Sequence, residues 1–250
     1  MISRIVSALS ILGICLCLMP PATVAAPITD QDLRARVEAA TRKFCDLTCT
    51  ATVREKNKEA LKKVDQNFAR VYEVQSAGIS VKAPDKIRVD AKLGMVKVIY
   101  ISAEGKKIFR ADKLRMNKMD DYSTDPAKLQ SPLDFGLITP HLWQNRRVEI
   151  MDDTDAQAAG EIRLKLTWLK GDMVNYAWID ARNLYLKRFE KHDGAGRLLA
   201  RVVYSNPQNV DGIIWMPTKI ELFGSDGVKA GSMEFTALKM NGGLSDSLFR

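Results

Sequence analysis

Apolar and polar residues alternate with a period of two over most of this chain. Ile79 and Val81 alternate with Ser80 and Lys82; Ile87, Val89 and Ala91 alternate with Arg88, Asp90 and Lys92. Val96 to Ile101 is apolar apart from Lys97, Glu104-Gly105 reads as a hairpin turn, and Lys107 to Ala111 returns. Leu114 to Met119 and Arg147 to Ile150 read as further strands. The clearest run spans Ile162 to Phe223. Ile162, Leu164, Leu166 and Trp168 alternate with Arg163, Lys165 and Thr167, and Val174, Tyr176 and Trp178 with Asn175 and Ala177. Turns at 180–183, 193–194 and 209–212 separate Tyr185–Lys191, Leu198–Tyr204 and Ile213–Phe223. Gly231 to Met240 closes the series, and residues 241–249 read as a terminal turn. Such alternation bounded by turn residues marks half-buried antiparallel strands.

Helical spacing is confined to two places. Thr29 and Asp32 form a capping-box pattern, and Leu33, Val37, Ala40 and Phe44 mark one face, which predicts a helix over 30–44. A strand follows from Thr48 to Lys56. Over 57–75, Leu61, Val64, Phe68 and Val71 keep helical spacing, while Phe68 to Val74 also fits an extended strand. Ser123 to Trp143 breaks the β pattern with Pro126, Pro132, Gly136 and Pro140. Ser131-Pro132 and Thr139-Pro140 each read as an N-cap followed by proline at the first helical position. The two short helices they start carry Leu133, Phe135, Leu137, Ile138, Leu142 and Trp143, too apolar for a solvated loop. Asp152 to Asp155 lacks the glycine and glutamate of a calcium loop and reads as a polar turn.

These elements predict an α+β fold: a strongly curved antiparallel sheet of about ten strands, with an N-terminal helix and short internal helices covering its concave face. With 250 residues, 46% of them hydrophobic, the chain has material for a substantial core. A formal charge of +8 points to an anionic partner without specifying one.

Arg4, the apolar run Ile5–Met19, Pro20-Pro21 and the small residues 22–26 read as a signal peptide over 1–26, leaving 27–250 as a single exported domain. An uncleaved anchor is the alternative. Export places Cys45 and Cys49 in an oxidising compartment and predicts a disulfide between them, against a reading as two buried thiols or a redox pair.

Catalytic motifs are sparse. The two histidines, His141 and His192, stand apart, with no hydrolase elbow, phosphate loop or dinucleotide fingerprint. No cofactor or metal site is expected, and the chain is not read as an enzyme. A carboxylate pair is the remaining catalytic alternative.

Several segments resemble the periplasmic lipoprotein-carrier superfamily, the LolA-like outer-membrane lipoprotein-sorting proteins. They are Ile79–Arg88 with its Lys-x-Pro turn, the hairpin Val98–Phe109, the segment Ser131–Ile138, Trp178–Asp180, Phe189–Gly194 and the closing Leu244–Phe249. The resemblance implies an unclosed β-barrel holding acyl chains beneath helices in its mouth. Its ligand contacts are expected at Phe109, Met116, Trp168, Trp178, Phe189, Tyr204, Trp215 and Phe235. Its lid is expected at Leu133, Phe135, Leu137, Leu142 and Trp143. Carriers of this kind hold the lid with an arginine, for which Arg54, Arg70 and Arg88 are candidates.

Three functions follow. The first is a monomeric carrier of acyl lipid or lipoprotein, with no nucleic acid partner. The second is an interaction module on the same scaffold, sensing lipids or docking an envelope membrane protein. The third is a carboxylate hydrolase. A dry cavity favours the first, and a filled barrel with an exposed apolar patch favours the second.

Overall fold

Thirteen strands pair into one sheet in the computed structural model, which describes residues 28–65, 69, 72–170 and 173–250. The signal segment 1–26, Phe68, Arg70 and Val71 lie outside the described residues. In chain order the strands are β1 (Asp46–Lys56), β2 (Ser76–Lys82), β3 (Lys86–Leu93), β4 (Val96–Ala103), β5 (Lys106–Ala111), β6 (Met116–Asp121), β7 (Arg146–Ile150), β8 (Glu161–Trp168), β9 (Val174–Asp180), β10 (Leu186–His192), β11 (Leu198–Val210), β12 (Ile214–Gly224) and β13 (Lys229–Met240). Their spatial order is β6-β5-β4-β3-β2-β1-β13-β12-β11-β10-β9-β8-β7, with every neighbouring pair antiparallel. The sheet therefore has two free edges, β6 and β7. Thirteen strands exceed the ten or so expected, and each overlaps a segment that the alternation marks as extended.

One cluster of buried side chains shows how far the sheet curls. Ile87 on β3 and Val148 on β7 belong to the same core, together with Leu47, Leu164, Ile179 and Met216. β3 and β7 are nine steps apart in the strand order. Nine steps span about 43 Å in a flat sheet, so a shared core requires the sheet to wrap around it. Register breaks in β1 at Thr48/Thr50 and Val53/Glu55, and at Leu186/Arg188, supply bends of the β-bulge kind. The result is an unclosed half-barrel.

Helix α1 (Asp30–Thr41) starts at the Thr29 capping box, where Asp32 N–H donates to Thr29 Oγ1 at 3.1 Å and Asp32 answers with its carboxylate. It buries Leu33 and Val37 in the main core. It ends at Thr41, three residues before the expected Phe44, which reaches the core from the following turn. Helix α2 (Lys58–Val64), capped by Asn57, resolves part of the ambiguous 57–75 region as helix. Its Ala60 and Leu61 pack with Tyr72, Leu222 and Ala230. The expected polar turn at 152–155 instead opens a short helix, α3 (Thr154–Ala158), with Asp153 as its cap. Asp153 both caps this helix and pairs with Arg163 at 3.0 Å.

The C-terminal segment covers the convex face. Leu244, Leu248 and Phe249 pack on Ile101, Ala103 and Ile108. Buried Asp46 anchors the approach by accepting from the Gly242, Gly243 and Leu244 N–H groups at 2.7, 3.1 and 3.0 Å.

Candidate functional site: the lidded concave face

The connection between β6 and β7 joins the two free edges, so it has to cross the open side of the half-barrel. This is the segment with three prolines, Pro126, Pro132 and Pro140, and Gly136. Pro132–Phe135 and Pro140–Trp143 form short 3-10 turns with proline at the start of each, as the spacing predicts. Asp134 accepts the Ser131 N–H at 2.7 Å. Gly136 ends the first turn at φ +80°, and a methyl there would collide with Pro217 and Tyr204. Glycine is required for both reasons.

The lid side chains enter the core. Leu133, Phe135, Leu137, Ile138 and Leu142 are buried among Tyr204, Phe235, Met216 and Ile220, and Trp143 packs at the margin. Phe135 and Phe235 have ring centroids 6.3 Å apart. Two backbone links hold the lid: Leu137 bridges Tyr185, and Leu186 N–H donates to Gly136 C=O at 3.2 Å.

The expected contact residues divide into four groups. Tyr204 and Phe235 lie under the lid, and Phe189 packs against the same core. Phe109, opposite Tyr100, and Trp168 are on concave positions but outside that cluster. Met116 is 47% exposed on the edge strand, and Trp215 is half-buried outside the core while its neighbours Ile214 and Met216 enter it. Trp178 belongs to the convex face. On β9 it is Ala177 and Ile179 that enter the core, so Trp178 points the other way and stacks with Arg188 at 3.6 Å and Arg163 at 4.9 Å. Two guanidinium groups bury this tryptophan, where an apolar core was expected.

The Cys45–Cys49 disulfide is absent; both thiols are free, Cys45 exposed and Cys49 buried. Cys49 lies in β1 and Cys45 just before it. Four extended residues span about 13 Å, beyond the roughly 7 Å Cα limit for a bridge. Burial pushes the Cys49 thiol up to about 12.

Within the lid segment stands a polar group that the sequence pattern did not reveal. Asp134 is exposed on the 132–135 turn, yet the protein packed around it desolvates its carboxylate. Desolvation raises its pKa, opposed by the Ser131 N–H bond and by Arg146, Lys191 and Lys107. Lys107 pairs with Ser102 and Lys191 with Asn175 on concave positions of β5 and β10. Arg146, 7% exposed, stacks on Trp168 at 3.9 Å, and burial lowers its pKa to about 10. Its Nε, Ser131 Oγ and Gln130 Oε1 have no hydrogen-bond partner. These groups, with Ser102, His141 and Trp168, line a cleft of about 30 Å³. That is room for about one water; an acyl chain does not fit. Ser131-Pro-Leu-Asp134 carried a cap signal in the sequence, but nothing marked Arg146.

The arginine that meets the lid is Arg146, which lines a crevice with Leu133, Leu137 and Leu142. Arg54 pairs instead with Glu234 at 2.8 Å. Arg88 binds Asp90 and the Leu248 carbonyl. The histidines serve local structure. His141 Nδ1 lies 2.7 Å from Gln144 Oε1, with burial lowering its pKa, and His192 contacts Gly196 O and Glu190. Among the described residues no group of three or more His, Cys, Asp or Glu is placed to hold a metal ion, and no helix is long and apolar enough to cross a membrane.

This architecture has solved counterparts. A DUF1329 family protein from Desulfovibrio piger superposes with TM-score 0.60 at 14% identity, covering 88% of this chain and 95% of its own. An outer membrane lipoprotein-sorting domain assignment from Vibrio parahaemolyticus gives TM-score 0.63 at 11% identity, covering 88% and 95%. A LolA superfamily protein from Nitrosomonas europaea gives 0.59 at 14% identity, covering 90% and 98%. No protein-family model matches the sequence, and no curated protein matches it. At these identities the likeness defines the fold: a LolA-like unclosed half-barrel.

Proposed function

We propose that this protein is an exported carrier that receives an acyl chain of a lipid or lipoprotein on its concave face by displacing the 131–143 lid. The observation that carries this reading is the lid itself. It is a short, non-strand segment joining the two free edges, and its apolar side chains occupy the place an acyl chain would take. Two structural neighbours, one assigned to lipoprotein sorting and one to the LolA superfamily, support the same scaffold use. Residues 1–26 serve as the cleaved signal peptide, and 27–250 form one monomeric domain in the periplasm. Phe189, Tyr204 and Phe235 form the acyl-contacting floor.

The energies are of matching size. Five buried lid side chains at about 1.5–3 kcal/mol each represent roughly 8–15 kcal/mol of apolar burial. At about 0.8 kcal/mol per methylene, a chain of roughly ten to twenty methylenes offsets that loss. An ordinary acyl tail has this length, so exchange of lid for ligand is near balance. The second reading, an interaction module with a permanently filled interior, is favoured by the small size of the clefts that the described residues line at the lid. The hydrolase reading gains no support: the charged neighbours of Asp134 are Arg146, Lys191 and Lys107, not a second carboxylate.

A disulfide staple tests the carrier reading. Leu137 and Tyr185 are bridge partners, close enough for cysteines at both positions to link. Leu137→Cys with Tyr185→Cys, in a Cys45→Ser background, should abolish uptake of a fluorescent fatty acid when oxidised and restore it on reduction. Absence of uptake in the reduced and unmodified proteins, with no acyl lipid in native mass spectra, would sink the carrier and leave the interaction module.

A further inference from the structure

Five of the most exposed large apolar residues cluster at one corner of the sheet, away from the lid. Leu93 is 40% exposed, Met95 84%, Leu114 57%, Met116 47% and Met119 63%. Leu93, Met95, Leu114 and Met116 belong to two adjacent connections at the same end of the sheet, and Met119 follows on β6 opposite Ile108. Leu93 pairs with Val96 across the β3–β4 turn, Ala111 pairs with Met116 across the β5–β6 connection, and Ile99 pairs with Arg110 between them. The tips project: a Cβ added at Gly94 would meet nothing within 4 Å.

Cations ring this apolar corner. Lys92, Lys97, Lys113, Arg115 and Lys118 are all exposed. Within 92–97 and 110–118 the sole acidic residue is Asp112. Lys97 leans on Asp90 at 3.8 Å and Lys118 on Asp120 at 3.0 Å, while Lys92, Lys113 and Arg115 enter no ion pair among the described residues.

We propose that these two hairpin tips dock on an anionic lipid bilayer, with Leu93, Met95 and Leu114 entering the headgroup–acyl boundary and the cations on lipid phosphates. The charge decides between occupants. Projecting apolar tips encircled by unpaired cations fit a negatively charged interface, where apolar burial and headgroup attraction add. Flexible methionine adapts to a fluid surface better than to a shaped protein groove. The site includes the start of free-edge strand β6, the end opposite to the one where the chain leaves for the lid, and it stands independently of acyl binding.

The test uses the chain from residue 27 onward, sedimented with vesicles of phosphatidylcholine alone or mixed with phosphatidylglycerol. Binding should require phosphatidylglycerol and weaken with salt. Met95→Asp with Leu114→Asp, and Lys113→Glu with Arg115→Glu, should each lower partitioning on the order of tenfold or more. All four residues are exposed, and circular dichroism with the unfolding midpoint checks the fold. Arg42→Glu with Lys43→Glu, the same charge change at a distant exposed site, should bind almost as the parent does. The proposal is overturned by no binding to the mixed vesicles, or by tip variants that bind unchanged. It is equally overturned if the Arg42/Lys43 control loses as much as the tip variants, or if a photo-crosslinker at Met95 captures an envelope protein while vesicles go unbound.

Discussion

Trp143 donates its indole N–H to the Asp30 carboxylate at 2.9 Å, tying the end of the lid to the first turn of α1. The bond joins residues 113 positions apart and sits at the exposed margin of the lid. Trp143→Phe keeps the ring contact and removes the bond. The expected loss is about 1 kcal/mol, typical of one hydrogen bond. Faster amide exchange across 133–143, with the sheet unchanged, is the readout; exchange that stays at the parent rate removes the latch role.

Gly136 is the lid's conformational pivot. Gly136→Ala adds a methyl at φ +80° where Pro217 and Tyr204 leave no space. The cost should reach about 2 kcal/mol or more, from backbone strain plus overpacking. Urea unfolding measures it, and a neutral result would mean that the lid does not sit on Tyr204 in solution.

Asp134 gives stability a pH dependence of definite sign. Desolvation raises its folded-state pKa above the unfolded value. Its favourable contribution is therefore complete below the unfolded pKa of about 3.9 and is lost as pH rises through the folded pKa. Asp134→Asn keeps an acceptor for the Ser131 N–H and cannot ionise. The unfolding free energy of the parent minus that of Asp134→Asn should fall as pH rises above the unfolded carboxylate's pKa of about 3.9. A difference that rises with pH would mean that Arg146, Lys191 and Lys107 outweigh desolvation.

The cysteines should react unequally. Cys45 is exposed, while Cys49 is buried with its thiol pushed up to about 12. Iodoacetamide at mildly alkaline pH should add one group to the native chain lacking residues 1–26 and two after denaturation. Intact mass reads both, and a non-reducing peptide map that linked Cys45 to Cys49 would contradict the fold around β1.

Trp178 separates stability from binding. Its ring lies between Arg163 and Arg188 on the convex face. Trp178→Ala should destabilise by about 2–4 kcal/mol, from lost burial and cation–π contact. Fatty-acid uptake per folded molecule should not change. Lost uptake at unchanged stability would put Trp178 in the ligand path.

Much of this architecture was legible in local pattern. The β segments, the Thr29 cap and the proline-started lid turns were readable because alternation, capping and fixed φ are properties of neighbours in the chain. The inward direction of β9 was not. Val174, Tyr176 and Trp178 looked like the buried set because they are larger than Asn175 and Ala177. The structure buries the smaller set because the lid fills the space above it, and arginines shelter Trp178 outside.

The same limit applies to the polar groups at the lid. Arg146 stacks on Trp168 and lines a crevice with Leu133, Leu137 and Leu142 only once the chain between the two sheet edges folds across them. By itself the sequence determined an antiparallel sheet, its helices and the apolar character of residues 131–143, since each depends on contacts a few residues away. Tertiary structure alone decided that the interior is filled, that Cys45 and Cys49 stand as separate thiols on an extended segment and that the Leu93–Met119 corner is bare. Those outcomes depend on which strands the curled sheet brings together, and on which tips it leaves with nothing to cover them.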